Sequence, residues 1–407
     1  MASPRAMTNI LSHLLEDFTH CFRETLFALL FDLSGIASGM LLYTYLSGIE
    51  KAIPFVLILY PGILSVRGVV NGIFAGNLST GLHLGTVEPS IRKLSDRLKE
   101  LYALVMTLTL LGALLMAALA SVVSLKVFPI TPRITLDIVL VTLTTLDISL
   151  LIVSPLTVVV AFYSFKAGLD PDKILYPVIS TLADLIVTGC YVVVIELLYV
   201  SVGRTLLNGF IILFTSAQII VFYVHIKERF FKKQLRECVV TIILVTIISS
   251  LTGLFLDKVG QRLGEWTEVY TVYPALIDTV GDVGSIVGSI ISTQLHIGGL
   301  KPSLHIIPGS SGIILGIWIA SLVVFIIYSF VTIMIAGQFS VIAVVEIMKL
   351  LLISNIFAII AIVAVALTVS ILTFKVGLNP DNFVNPMVST VADVVATISL
   401  YLAFLVI

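Results

Sequence analysis

The sequence predicts an all-α integral membrane protein of about 11 transmembrane helices, built as two parallel five-helix repeats joined by a connector helix. Three observations predict it. Of 407 residues, 58% are hydrophobic and only 12% are charged, against roughly 25% charged in soluble domains. Apolar runs of about twenty residues recur along the chain, the length a helix needs to cross a ~30 Å hydrocarbon core. The chain also repeats itself. Residues 165–184, FKAGLDPDKILYPVISTLAD, return as 374–393, FKVGLNPDNFVNPMVSTVAD, at an offset of 209.

Taken in order, residues 7–23 read as a short amphipathic helix on the membrane surface, within an N-terminal segment 1–24. Spans follow at 25–47, 52–84 (glycine-rich, with Pro61), 102–125, 134–165 (interrupted by Pro155) and 174–200. A connector at 205–226 leads into the basic stretch 227–236, read as a helix facing lipid headgroups. The second series is 239–257, 270–297 (with Pro274), 313–336, 341–373 and 382–406. YPGILSVRG at 60–68 returns as YPALIDTVG at 273–281, and LSTGLHLG at 78–85 as ISTQLHIG at 291–298, both at an offset of 213. The repeats are thus expected at 25–203 and 238–407, with 204–237 as connector and basic segment. Five is an odd number of crossings, so one additional helix restores the orientation and makes the repeats parallel, unlike the inverted repeats of many transporters. Fifteen Lys and Arg fall in segments on the N-terminal side of the membrane against six on the other. The positive-inside rule then places the chain in a multi-pass cell membrane with its N-terminus cytoplasmic and its C-terminus outside.

A net charge of −1 and the lack of a basic domain argue against nucleic acid as a partner. Cys21, Cys190 and Cys238 have no metal-ligand spacing and form no disulfide set. The partners expected are membrane lipids and whatever the intramembrane carboxylates bind. Asp184 and Asp393 close the two copies of the longest repeat inside apolar runs, where a carboxylate is costly and marks a functional site by default.

The repeated elements resemble the transmembrane domain of the MgtE family of magnesium channels, and more closely the related solute-carrier magnesium transporters, which fuse two such domains. The likeness rests on Pro274 with Gly281 seven positions later, the ISTQLHIG run, and a GL-PD turn leading to S-T-x-A-D at Asp184 and Asp393. It covers the chain from about residue 25 to its end. The resemblance implies a transporter and not an enzyme, with an ion path between two halves and Asp184 and Asp393 on the ion. It implies a transported divalent cation, Mg2+ with Mn2+ or Co2+ as surrogates, and a functional monomer containing an internal pseudo-dimer. The cytoplasmic regulatory domains of MgtE-type channels are not expected within these 407 residues, which the two membrane repeats fill. The family's Gly-Asn pair stands as Gly281-Asp282 in the second half and as Gly68-Val69 in the first, with Asn71 two residues on.

The chemistry of these residues agrees. Ser180 and Thr181 precede Asp184 by four and three residues, and Ser389 and Thr390 stand likewise to Asp393, so each set shares a helix face. Pro177 and Pro386 begin both sets. An oxygen-only set without His or Cys suits a hard cation and not zinc or copper. Asp278 and Asp282, on one face of the eighth span, are expected to face water or the ion path, although their equivalents are Ser65 and Val69. The glycines at 62, 68, 72, 76, 281, 284 and 288 either permit close packing or expose carbonyls at a helix break. His83 and His296 are expected to fix helix ends. Arg67 either pairs with an acidic side chain or repels cations from its wall. Asp32, Asp137, Asp147, Glu196 and Glu346 form a candidate proton route, with Asp137 and Glu196 solvated; Asp170, Asp172 and Asp381 are read as helix caps or cation concentrators. Exchange of Na+ or H+ against Mg2+ is the alternative within transport. An intramembrane aspartyl protease is the alternative outside it, disfavoured because TVGDVG around Asp282 lacks a second protease motif.

Overall fold

The computed structural model of the chain describes residues 18–36, 55–90, 95–124, 131–245, 267–303, 310–336 and 340–406, and these contain helices and no strand. In chain order they are α1 (18–29, prolonged by a 3-10 turn at Leu30–Ser34), α2 (Phe55–His83), α3 (Asp96–Ser124), α4 (Pro132–Lys166), α5 (Pro171–Tyr199) and α6 (Ser201–His225). Then come α7 (229–245), α8 (Thr267–His296), α9 (Ser311–Ala336), α10 (Val341–Lys375) and α11 (Val384–Val406), with a 3-10 turn at Pro380–Asn382. Among the described residues, eight helices, α3 to α6 and α8 to α11, are long and apolar enough to cross a membrane. α2 matches α3 in length, and carries Arg67, Asn71 and Asn77 along it. The expected spans at 25–47 and 239–257 run beyond the described residues.

The expected break at Pro155 does not occur, nor does the break that the glycines of the second and eighth spans left open. α4 continues through Pro155 over 35 residues; proline is tolerated in membrane helices where neighbours satisfy the freed backbone groups. α2 and α8 are also continuous, so their glycines do not open the backbone, and all but Gly68, which faces open space, stand where a side chain would meet a neighbour. A Cβ on Gly288 would stand 2.1 Å from Val384 Cγ1, and one on Gly72 would stand 3.0 Å from Asn385 Cβ. Only glycine lets α8 and α2 approach α11 so closely.

Each GL-PD stretch ends one helix and starts the next. Gly168 and Gly377 take φ of +75° and +81°, closing α4 and α10 as glycine does at helix C-termini. Asp170 and Asn379 then each accept a backbone N–H two residues on, at 3.1 Å, with proline pre-organised at the first helical position.

In the first half α2 packs on α3, α4 and α5; in the second, α8 packs on α9, α10 and α11. Across the middle, α5 lies on α8 and α11 on α2, a reciprocal arrangement that a pseudo-twofold relation produces. Thr80 and Thr293, equivalent by the 213 offset, meet there at 3.5 Å. The first helices cross over. Cys21 and Leu29 of α1 belong to the apolar core of the second half, and Phe231, Cys238, Ile242 and Val245 of α7 to that of the first. Glu24 of α1 pairs with Lys173 Nζ at 2.9 Å. Glu237, its equivalent on α7, accepts at 2.9 Å from Asn382, the equivalent of Lys173. The equivalence therefore reaches back to residues 18 and 231, ahead of positions 25 and 238, and residues 18–23 are the start of a helix built into the bundle. α6 is peripheral, burying only Gly203, Leu207 and Gln218.

Candidate metal centre

α5 brings Asp184 to the seam with α8, which carries Asp278 and Asp282, and α11 brings Asp393 from the other half. The Asp184 carboxylate lies within electrostatic reach of Asp278, Asp393 and Asp32, and that of Asp393 within reach of Asp278. The four expected aspartates thus gather in one place, and Asp32 joins them. Asp184, Asp278 and Asp393 are half-buried, whereas Asp32 and Asp282 lie fully inside.

Hydroxyls aim the buried pair. Thr279 Oγ1 donates to Asp32 Oδ2 at 2.8 Å. Thr181 Oγ1 shares its proton between Asp32 Oδ1 and the Pro177 carbonyl, both at 3.1 Å. Ser180 Oγ donates to Asp282 Oδ1 at 3.0 Å, with the Pro177 carbonyl at the same distance. On α11, Ser389 and Thr390 reach back to the Pro386 carbonyl at 3.2 and 2.8 Å. The end of the α1 segment presses on the site as well: a Cβ on Gly35 would stand 3.0 Å from Asp278 Oδ2.

The cluster is lopsided. Asp32, Asp278 and Asp282 have Val245, Ser65 and Val69 as sequence equivalents. Because α1 crosses to the second half, these unmatched acids come together along α1 and α8. Arg67, on α2, is buried, and its three guanidinium nitrogens are unpaired among the described residues, so of its two readings the pairing with an acidic side chain is not seen there. Asn71 is buried nearby on the same helix with both amide atoms unpaired, and hydrogen bonds do not tie it to the cluster. The ion pairs among the described residues leave all five aspartates without a lysine or arginine. Acids held this way at membrane depth require cations or protons, and an oxygen-only donor set fits a hard divalent cation.

The other acids separate. Asp147 accepts from Gln218 Nε2 at 2.8 Å, tying α4 to α6. Asp137 pairs with Arg204 and is not simply solvated. Glu196 and Glu346 are exposed. Of the candidate proton route, Asp32 alone enters the cluster. At the end of the bundle where the GL-PD turns lie, Ser79 donates to Asp172 and its equivalent Ser292 to Asp381, so these two acids lock α2 to α5 and α8 to α11. His83 Nε2 lies 3.4 Å from Asp170 and 3.7 Å from Asp172, fixing the end of α2 as expected, and ligand atoms of the three residues all lie within 4.8 Å of one another. Burial opposes ionisation of Asp170, but the His83 hydrogen bond and the Lys173 charge hold its carboxyl below the usual carboxylate range. His296 Nδ1 meets the Ser292 carbonyl of its own helix at 2.9 Å.

Known proteins match this chain along both halves. The MgtE family model, described as "Divalent cation transporter", matches residues 60–194 and 273–403. Solute carrier family 41 member 2 of Gallus gallus is 29% identical over 270 residues, covering 64% of this chain and 44% of that protein. Its Homo sapiens namesake is 28% identical over 265 residues, covering 62% and 43%. The chain therefore spans less than half the length of these relatives. Among solved structures, a MATE protein in complex with MaD5 aligns over 96% of this chain and 97% of that chain, at 11% identity and a TM-score of 0.46, too low to assign a shared fold or function.

Proposed function

This chain belongs to the MgtE family of divalent cation transporters, and from that premise we propose that it moves Mg2+ along a path between its two halves. Asp184 and Asp393 are the central ligands, Asp278 and Asp282 line one wall, and Asp32 stands behind them. The observation that carries this reading is the convergence of two aspartates, equivalent at an offset of 209, upon Asp278 of α8. Mg2+ demands octahedral oxygen coordination and gives up water reluctantly. A site of half-buried carboxylates backed by hydroxyls favours such an ion with part of its water shell, and Mn2+ and Co2+ serve as surrogates. The two halves supply both central aspartates, so the working unit is a monomer, with its N-terminus in the cytoplasm and its C-terminus outside. Asp184→Ala and Asp393→Ala, singly and together, are expected to abolish saturable Mg2+ flux into liposomes. Unaltered flux in the double variant would sink the assignment.

A further inference from the structure

Where α10 gives way to α11, a cavity of about 620 Å³ opens between α7 and the second GL-PD turn. Its lining divides by chemistry. Arg229, Lys232, Lys233 and Arg236 form one side; spaced i, i+3, i+4 and i+7, they make a single face of α7, and all four are exposed. Val240, Leu378 and Phe383 supply apolar surface beside them, and Gly377 and the buried Glu237, whose carboxylate is taken up by Asn379 and Asn382, complete the lining. The opposite face of α7 is anchored inside the bundle by Phe231, Gln234 and Cys238, so the helix cannot roll its cations away. Lys233 has an acidic neighbour, Glu237, at 3.9 Å; Arg229, Lys232 and Arg236 enter no ion pair among the described residues. The basic face is not inherited from the repeat, since the equivalent positions are Glu16, Thr19, His20 and Arg23.

We propose that this cavity binds an anionic phospholipid, its phosphate held by Arg229, Lys232 and Arg236 and its acyl chain laid along Val240, Leu378 and Phe383. The cavity is lined by α7, which follows the end of the membrane-length helix α6, and by the turn between the membrane-length helices α10 and α11, and the ends of such helices meet the headgroup layer. A basic pocket between membrane helices at that depth selects anionic headgroups. A free anion would leave the apolar wall unused, whereas an amphiphile covers both surfaces.

The position also links the lipid to the ion path. Glu237 Oε2 accepts the Asn379 backbone N–H at 3.1 Å and the Asn382 side-chain amide at 2.9 Å, and Thr241 donates to the Asn382 carbonyl at 2.9 Å. These contacts grip the turn on both sides of Asp381, the turn from which α11 and Asp393 emerge. A lipid that steadies α7 steadies that turn.

The test compares the wild type with an R229Q/K232Q/R236Q variant. Native mass spectrometry in the presence of phosphatidylglycerol is expected to show a retained lipid on the wild type and none on the variant, with soluble glycerol phosphate unable to displace it. In phosphatidylcholine vesicles, adding about one-fifth phosphatidylglycerol is expected to raise Mg2+ flux several-fold for the wild type and not for the variant. Equal lipid retention by both proteins overturns the proposal, as does displacement by glycerol phosphate, which would mark a free-phosphate site. An equal flux response also overturns it, because bulk surface charge would then explain the effect. Should the triple variant fail to fold, R236Q alone is expected to lower retention in the same direction, and unchanged retention counts against the site. Only the flux arm rests on the proposed cation transport: absent Mg2+ flux in every vesicle would remove that reading and leave lipid retention to be judged separately.

Discussion

Asp32 accepts one threonine hydroxyl on each oxygen, from α5 on one side and α8 on the other. Asparagine in its place keeps one acceptor and loses the charge, so one threonine must give up its charge-assisted bond and fall back on its neutral partner, the Pro177 carbonyl for Thr181 or the Tyr328 hydroxyl for Thr279, at a cost of about 1 kcal/mol. Asp32→Asn is therefore expected to lower the thermal unfolding midpoint in detergent and to raise the Mg2+ concentration for half-maximal flux; a midpoint and flux titration matching the wild type would refute the role given to it. The sequence discloses Asp184 and Asp393 because repetition points at both. It offers Asp32 only as one of five candidate proton-route acids and does not join it to the cluster, because its equivalent is Val245 and its threonine partners stand 149 and 247 residues away. Arg67 shows the converse. Its chemistry invites an acidic partner, yet local sequence cannot say which face of α2 meets which neighbour.

Helix existence and extent were legible, because an apolar run of spanning length has few alternatives in a membrane. Helix breaks were not: Pro155 and the glycines of α2 and α8 carry breaking signals that hold for water-exposed segments, and packing overrides them here. Gly288 gives this a measurable form. Its missing Cβ would stand 2.1 Å from Val384 Cγ1, so Gly288→Ala is expected to destabilise by about 1–3 kcal/mol through overpacking. Val384→Ala in the same chain should recover most of the loss, read as the unfolding midpoint of single and double variants. The early starts of α1 and α7 were written in the sequence without being conspicuous. Phe18, Arg23 and Glu24 recur as Phe231, Arg236 and Glu237, but the charges there resemble an interfacial segment more than a span.

At the scale of the molecule, the crossing of the first helices makes the halves mutually dependent. A cysteine pair tests it: a Cβ at Gly35 would stand 3.9 Å from the Ala275 Cα, close enough for disulfide geometry. Oxidising the Gly35→Cys, Ala275→Cys variant is expected to yield a cross-linked peptide in the monomer band, joining α8 to the segment after α1; a cross-link found only between two chains would mean that the crossing belongs to a dimer. The crossing also sets a timetable for synthesis. Gly316 of α9 packs against the backbone of Phe18 and Phe22, yet it is made about 300 residues later, an interval of roughly 15–60 s at ~5–20 residues per second. For most of that wait α1 has left the ribosome with its apolar side uncovered and Asp32 still lacking Thr279, made 247 residues after it. The newborn chain must shelter its first helix, in lipid or against the insertion machinery, until the second half arrives.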